Sequence, residues 1–394
     1  MNNQRDIKIL YVFFKDFPWD VRADKITQSL KNAGFKVSIA ARSVESNEFH
    51  EERNGIYIYR VGAGKKNSYS LPFNFNPLWK QDLSKIASIT KPDIIIVREM
   101  IIAKTAAIIA KRMNIPVIMD MAENYPAAMR EWKKYNDSAL SKFLVHNAKI
   151  PDKIERSSVR LMDGILTVCE EQIRRLNIKF HYPEKNITVV HNTPEESTFE
   201  KAEKGVVNDD LVLCHHGFLT SEKSIMNFLK GFIKFKNETS NNIKMVIAGS
   251  GDNFGDYQKV IKDHKAENFV IMTGEYKPGE LAGIISGIDI GLIPYPKNDF
   301  NNYTIHNKIF DYFAAGKPVI TSEAAPLKRI IAQTKAGISI DCEDPDQIFA
   351  NMKMINEINW KELGKNAQKA YNGIYNWKND EKTLIGFIKR YLNA

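Results

Sequence analysis

The chain has 394 residues, 43% of them hydrophobic and 26% charged, which excludes a mainly disordered or fibrous protein and suits two or three globular domains. Its 56 basic and 47 acidic side chains leave a net charge of +9, which admits nucleic acid, anionic lipid or phosphorylated small molecules as partners without choosing among them. Three cysteines, Cys169, Cys214 and Cys342, lie far apart with no CxxC pair, so a disulfide framework or zinc ribbon is disfavoured and a reducing compartment fits.

The N-terminal MNNQRDIKILYVFF has no long apolar stretch ahead of a small-residue cleavage site, and its IKILYVFF reads as a buried strand. Further candidate strands follow at Lys36–Ala40, Asp93–Val97, Val117–Asp120, Gly164–Val168 and Ile187–Val190, with helical patterns between them such as Arg22–Ala33 and Ile101–Met113. The apolar region from Ile94 to Ile109 is broken by Arg98, Glu99 and Lys104, too interrupted for a membrane span. The expectation is a cytoplasmic protein, with contact to a membrane surface left open. Strands that are apolar throughout are covered on both faces, so the sheet is expected to be parallel.

The polar stretch NTPEESTFEKAEKGVVNDD then reads as a linker, and the alternation restarts. Strands are expected at Leu211–His215, Lys244–Ala248, Phe269–Met272, Ile288–Ile293 and Pro318–Thr321. Helices are expected at Ser221–Phe235, from Asp256, at Pro278–Ser286 and at His306–Ala315. Two successive βα series imply an α/β protein of two Rossmann-like, doubly wound domains. The expected boundaries are 1–192, a linker over 193–210, 211–375, and a C-terminal helix over 376–394. Trp360, Tyr371, Tyr375, Trp377, Phe387 and Tyr391 punctuate the C-terminal region as packing residues.

Four segments carry candidate chemistry. The loop Lys15–Arg22 follows the first strand, with Asp20 placed to cap the next helix; it holds no GxGxxG, which weakens an ordinary dinucleotide reading. Gly249 and Gly251 follow the strand KMVIA, where glycines let backbone amides approach a ligand. Gly217 ends another strand, and Lys223 lies in the first turn of the following helix, a placement that opposes the helix dipole unless an anion is bound. Tyr303–Ile320 is the richest: Thr304, His306, Asn307 and Lys308 precede or open a short helix, and Asp311 stands one turn further on, in reach of a hydroxyl-bearing ligand. That spacing suits a phosphate-plus-sugar site.

At this segment the chain resembles a retaining glycosyltransferase of family 4 with the GT-B arrangement. HNKIFDYFAAGKPVI resembles the family's "PnKlfEYmAaGkPVi", and WDVRADKITQSLKNAGFKVSIA, IPVIMDMAENYP, DGILTVCEEQIRRL, ITVVHNTPE and MVIAGSGD follow the family's order. The resemblance implies two Rossmann-like domains facing a cleft (GT-B). The N-terminal one would receive a glycan or lipid-linked acceptor, and the C-terminal one a nucleoside-diphosphate sugar; no metal and no further cofactor is required. By position, Lys223 would bind the diphosphate, Asp311 the ribose, and the amides near Asn307 and Lys308 the β-phosphate. Gly217, Gly249 and Gly251 would border the nucleotide, Thr304 or His306 would stand in for the sugar-binding Glu, and Glu123 would be the acceptor-side group. Three positions depart from the family pattern: Tyr303 replaces that Glu, Phe218 the Arg five residues before Lys223, and Ala122 an acceptor-side His.

Transfer into a surface polysaccharide or glycolipid is the leading reading. A sugar-nucleotide epimerase of the same architecture and a non-catalytic nucleotide-sugar binding protein remain alternatives. Dispersed basic residues without a recognition motif argue against nucleic acid. Residues 130–162 hold eight basic against four acidic residues, interleaved with Trp132, Tyr135, Phe143 and Leu144. That composition suits the headgroup region of an anionic bilayer or, equally, a solvated helix face above core aromatics.

Overall fold

The computed structural model describes residues 6–18, 20–42, 48–62, 74–199, 211–219 and 223–392, for Ser197 and Lys223 the backbone alone; the elements below are those among the described residues. The chain divides into two compact units, Met1–His191 with Asp380–Ala394, and Asn192–Asn379.

In unit 1 the elements run β1 (Lys8–Asp16), α1 (Val21–Asn32), β2 (Lys36–Arg42), β3 (His50–Arg53), β4 (Ile56–Val61), α2 (Pro77–Thr90), β5 (Ile94–Arg98), α3 (Ala103–Met113), β6 (Val117–Asp120), α4 (Tyr125–Glu131), α5 (Ala139–Lys142), a π-helical turn Phe143–Asn147, α6 (Ile150–Val159), β7 (Gly164–Thr167), α7 (Glu170–Phe180) and β8 (Ile187–Val189). The sheet order is β3-β4-β2-β1-β5-β6-β7-β8, parallel except for the β3–β4 pair. Ile94 to Val97 on β5 are fully buried, as expected of a strand covered on both faces. Asp20 caps α1, accepting from the Ala23 amide at 2.9 Å, as the sequence predicts.

The sequence reading placed nothing between Ala40 and Asp93, where the structure has β3, β4 and α2. β3 is the polar HEER at the sheet edge, without the apolar run that marks the inner strands. α2 opens at Asn76, whose side chain accepts from the Leu78 and Trp79 amides, with Pro77 at its first position, a start signal that was readable.

Unit 2 comprises β9 (Leu211–His216), α8 (Lys223–Glu238), β10 (Ile243–Ala248), α9 (Phe254–Asp263), β11 (Val270–Gly274), α10 (Leu281–Ser286), β12 (Ile290–Ile293), α11 (Lys308–Ala314), β13 (Val319–Thr321), α12 (Ala325–Thr334), β14 (Gly337–Ser339), α13 (Pro345–Met352), α14 (Trp360–Gly373) and the start of α15 (Trp377–Leu392). Its sheet, β11-β10-β9-β12-β13-β14, has the Rossmann order, with the topological switch between β9 and β12. In unit 1 the same reversal falls between β1 and β5. From Asp380 onward α15 belongs to unit 1, where the Asp380 carboxylate accepts from the His191 amide at 3.1 Å and the Tyr391 hydroxyl donates to the Asp163 carbonyl at 3.0 Å.

Candidate functional site

The carboxyl ends of β9, β10 and β11 open onto a pocket of about 540 Å³, lined by Gly217, Phe218, Gly249, Ser250, Gly251 and, from beyond β11, Glu275, Tyr276, Pro278 and Leu281. Its size is that of a ligand site. The glycines are required by contact: a Cβ on Gly249 would stand 2.0 Å from the Gly217 carbonyl oxygen, and one on Gly251 2.3 Å from that of Leu219. Gly249 also has φ +135°, which L side chains rarely adopt. The Gly217 and Gly249 amides donate to the Ala248 and Gly274 carbonyls at 2.8 and 2.9 Å. These two amides are thus already paired, and what the glycines provide is close approach.

Beside this pocket, at the β9–β12 switch, lies a cluster built on Lys308. Its ammonium donates to the Tyr295 hydroxyl at 2.8 Å and lies 3.0 Å from where a Gly217 Cβ would be. His306 stacks flat on the Tyr295 ring, centroids 3.5 Å apart and 6° between planes, and its Nε2 pairs with Asn301 Oδ1 at 2.9 Å. Burial first, and the Lys308 charge second, pull His215 down to about 3 and hold His216 and His306 well below the usual imidazole range. At neutral pH these rings are uncharged, so the 3.8 Å approach of His216 Nε2 to Asp311 Oδ2 is not an ion pair. His216 Nδ1 pairs at 3.1 Å with the hydroxyl of Tyr276, a residue of the pocket wall.

Of the sequence-predicted residues, Gly217, Gly249 and Gly251 line one pocket, Lys308 borders it, and Asp311 lies 3.8 Å from His216, outside the lining. Thr304 is buried, and neither it, His306 nor Asn307 is among the lining residues. Lys223 is the first residue of α8, and its side chain lies outside the described residues. Sequence reasoning missed His216, Tyr276 and Tyr295. The HH pair before Gly217 was the readable signal for the first, whereas nothing in the sequence announced that the two tyrosines converge on it.

Glu123 lies in unit 1, in a smaller cavity of about 110 Å³ at the carboxyl ends of β1, β5 and β6, with Lys15, Asp20, Arg98, Glu99, Tyr125 and Trp132 among its walls. Arg22, which ends the Lys15–Arg22 loop, is buried and paired with Asp120 at 2.8 Å, and it donates to the Val190 carbonyl at 2.7 Å. Burial opposes ionisation of Asp120, but Arg22 and Arg98, with hydrogen bonds from Arg22 and Tyr11, hold its carboxyl below the usual range. Burial raises Glu99 to about 8 against the opposing pull of Arg98, and burial likewise raises Glu123. The cavity wall therefore holds two reluctant carboxylates, and its Arg98 is paired at 3.4 Å with the ionised Asp120, which is not itself in the wall. Arg98, Glu99 and Asp120 were not singled out from the sequence; they sit in runs that read simply as strand ends.

In the basic segment, Trp132 stacks on Tyr135 with centroids 6.1 Å apart and meets Tyr125 edge-on, so two of the four expected surface aromatic or apolar residues pack inward. Leu140, Phe143 and Leu144 are 69, 56 and 40% exposed, with Lys142, Lys149, Lys153, Arg156 and Arg160 exposed in the same segment. Among the described residues no group of three or more His, Cys, Asp or Glu could hold a metal ion, no helix is long and apolar enough to cross a membrane, and the three cysteines form no disulfide and are buried.

Two family models match the chain, one described as Glycosyltransferase Family 4 over residues 21–193 and one as Glycosyl transferases group 1 over residues 210–356. Among solved structures, sucrose-phosphate synthase from Thermosynechococcus elongatus is 12% identical, covers 99% of this chain and all of its own, and has a TM-score of 0.73. HepE from Anabaena in complex with UDP-glucose is 11% identical over 98% of this chain and all of its own, with a TM-score of 0.67. A teichuronic acid biosynthesis glycosyltransferase, TuaH of Bacillus subtilis strain 168, is 41% identical over 51 residues, 13% of this chain and 13% of that protein's length. The two parallel-sheet α/β units match the GT-B fold of these structures.

Proposed function

This chain being a family 4-like glycosyltransferase of the GT-B type, we propose that it moves a sugar from a nucleoside diphosphate to a hydroxyl of a glycan or lipid-linked acceptor, with retention at the anomeric carbon and without a metal. The observation that carries the reading is the glycine-walled pocket at the carboxyl ends of β9 to β11, bordered by a lysine. HepE was solved with UDP-glucose, which supports the donor class, and the short TuaH match supports a product that is a surface polysaccharide.

Unit 2 holds the donor in this reading. In this reading Asp311 accepts the ribose hydroxyls, Lys223 has the role of binding the diphosphate, and the loop from Thr304 to Lys308 meets the sugar and β-phosphate end. Unit 1 receives the acceptor at Glu123 and Glu99. As the bond from C1 to the β-phosphate oxygen breaks, its electron pair stays on the phosphate, whose growing charge a fixed cation stabilises. The acceptor oxygen bonds to C1 from the same face, and its proton passes to the departing phosphate oxygen. The exposed Leu140, Phe143 and Leu144 among basic residues would rest on an anionic membrane and present a lipid-linked acceptor.

A panel of nucleotide sugars tested for binding by calorimetry, with the product's anomeric configuration read by NMR, tests the reading. Asp311→Asn should weaken the preferred donor about tenfold, an amide being a poorer acceptor of two hydroxyls than a carboxylate. Lys223→Ala should cut turnover about a hundredfold. Unchanged binding and turnover in both variants, or an inverted product, would overturn the reading.

A further inference from the structure

The smaller cavity, in unit 1, has buried polar atoms in its wall that the described residues leave unmatched. Arg98, the last residue of β5, and Glu99 after it both line the cavity, and they are only 9 and 7% exposed. Arg98 Nε, Arg98 Nη1 and Glu99 Oε2 make no hydrogen bond. Buried donors and acceptors are costly to leave unmade, and three of them side by side in one cavity wall mark a place where a ligand completes the set. We propose that Arg98 and Glu99 are the acceptor-specifying pair of this chain, and that they select an uncharged sugar ring through two neighbouring hydroxyls, one accepting from the guanidinium and one meeting Glu99 Oε2, so that phosphorylated and acidic sugars are refused. The inference rests on the acceptor reading of unit 1 above and names the chemical class that unit 1 takes.

Three observations converge on it. The first is how the pair is held. The turn after β5 has a strained backbone: Glu99 has φ +65° and Ile102, a β-branched residue, φ +68°. Such side chains rarely occupy that region, and residues held there cluster at functional sites. Glu99 Oε1 is already engaged, accepting from the Ala122 amide at 3.1 Å and standing 2.9 Å from Arg98 Nη1. Arg98 Nη2 donates to Asp20 Oδ2 at 3.4 Å. With these contacts made, what remains in the wall is a donor set on Arg98 beside one oxygen of Glu99, the complement of adjacent hydroxyls.

The second is charge. Glu99 is faced by Arg98 on β5, Asp120 on β6, Glu123 in the following loop and Tyr125 on α4, while Lys15 on β1 and Asp20 before α1 act on Glu123. The Arg98 charge is already met by Asp20 and Asp120, so an arriving anion would find no uncommitted cation there and would sit against carboxyls that burial already raises. An ammonium would meet Arg98 and Lys15. A hydroxyl avoids both conflicts: it donates to a carboxylate and accepts from a carboxylic acid, and it therefore suits Glu99 on either side of its raised value of about 8. The third is the rest of the wall. Phe13, Phe14, Tyr125 and Trp132 line the same cavity, with Trp132 edge-on to Tyr125 at 5.6 Å. Apolar ring faces cover the C–H face of a sugar while a few placed polar groups fix its hydroxyls.

The test is ligand-observed NMR on the full chain, with methyl glycosides of glucose, galactose, mannose and N-acetylglucosamine set against the matching 6-phosphates, uronic acids and amino sugars. The wild type should bind one neutral glycoside at least about tenfold more tightly than its charged counterparts. Glu99→Gln, which keeps the acceptor for the Ala122 amide, should weaken that glycoside several-fold and narrow its lead over the 6-phosphate, because the carboxyl that opposes an anion is gone. Glu99→Ala should weaken it further. A merely structural role for Glu99 would lower all sugars together and leave their ranking unchanged, and that result overturns the inference. So does a wild type that prefers a phosphorylated, acidic or amino sugar, or that binds no sugar while still binding a nucleotide sugar; in each of these cases the glycosyltransferase reading stands. If the wild type binds neither sugars nor nucleotide sugars, both fall.

Discussion

The two units place their cavities at equivalent points of the same topology and fill them with opposite chemistry. At the β1–β5 reversal of unit 1 the walls include Arg98 and the protonation-prone Glu99 and Glu123, and Arg98 belongs to a buried network with Arg22 and Asp120. At the β9–β12 reversal of unit 2 the walls are glycine backbone with Phe218, Glu275 and Tyr276, and neutral imidazoles and one lysine stand beside them. The first arrangement pairs arginines with carboxylates inside the unit. The second sets a lysine, hydrogen-bonded to a phenol, beside the pocket. A shared strand order thus decides where a site forms, and the side chains at the strand ends decide what it binds.

Four experiments break or sharpen this contrast. The three buried cysteines, none in a disulfide, report on the units separately, Cys169 in unit 1 and Cys214 and Cys342 in unit 2, so pulsed thiol labelling under denaturant reads each unit's stability. The largest effect is expected from Asp120→Ala, which leaves Arg22 and Arg98 buried with no carboxylate between them. Unit 1 should lose about 3–5 kcal/mol, seen as earlier labelling of Cys169 with Cys214 unmoved. Simultaneous loss of protection at all three thiols would show that the units do not unfold independently and would remove the contrast. Next is Gly249→Ala. A Cβ 2.0 Å from a carbonyl oxygen at φ +135° should cost unit 2 about 2–4 kcal/mol and abolish nucleotide binding; an alanine variant that binds nucleotide normally would contradict the close approach of the two loops.

The third concerns pH, for which the two units should respond with opposite sign. In unit 1, Glu99 is raised to about 8 from the ordinary carboxylate value. His191 is raised to about 9, because hydrogen bonds to Asp380 and Glu170 outweigh the burial that opposes them. Both groups hold more protons folded than unfolded, so stability falls as pH rises, through 4.5 to 8 for Glu99 and 6.5 to 9 for His191. In unit 2, His215 is lowered to about 3; it binds fewer protons folded than unfolded, so stability falls as pH drops below 6.5. Cys169 should label earlier at pH 9 than at pH 6.5, and Cys214 earlier at pH 4.5 than at pH 6.5, by up to about 1.4 kcal/mol per pH unit for each group. Glu99→Gln and His191→Gln should each flatten the alkaline arm, and the same slope in both variants would show that other groups set it.

The smallest effect lies on the surface of unit 1. Vesicle sedimentation should show weak, salt-sensitive binding to anionic lipid that Phe143→Ser and Leu140→Ser each reduce several-fold, with roughly 1 kcal/mol from each nearby Lys or Arg. Equal, negligible binding to anionic and neutral vesicles at low salt would leave the basic segment as a solvated face.

What the amino-acid order determined by itself was the repeated βα alternation, the parallel sheets, the cap at Asp20 and the glycines at Gly217, Gly249 and Gly251. Each of these follows from a local rule: apolar runs too short for helices, an acidic side chain before a helix, a strand end where no Cβ fits. The motif around Asp311 was legible for the same reason, since its residues are consecutive. What only the tertiary structure decided was which distant residues share a site. Tyr295 and His306 stack although the loop after β12 separates them in sequence, His216 and Tyr276 meet from different strand ends, and Arg22 finds Asp120 across 98 positions. Burial, too, was settled there, and with it the charge states of Glu99 and the three histidines. A side chain's protonation depends on the solvent and charges that surround it in space, and those are set by elements that no local pattern in the chain identifies.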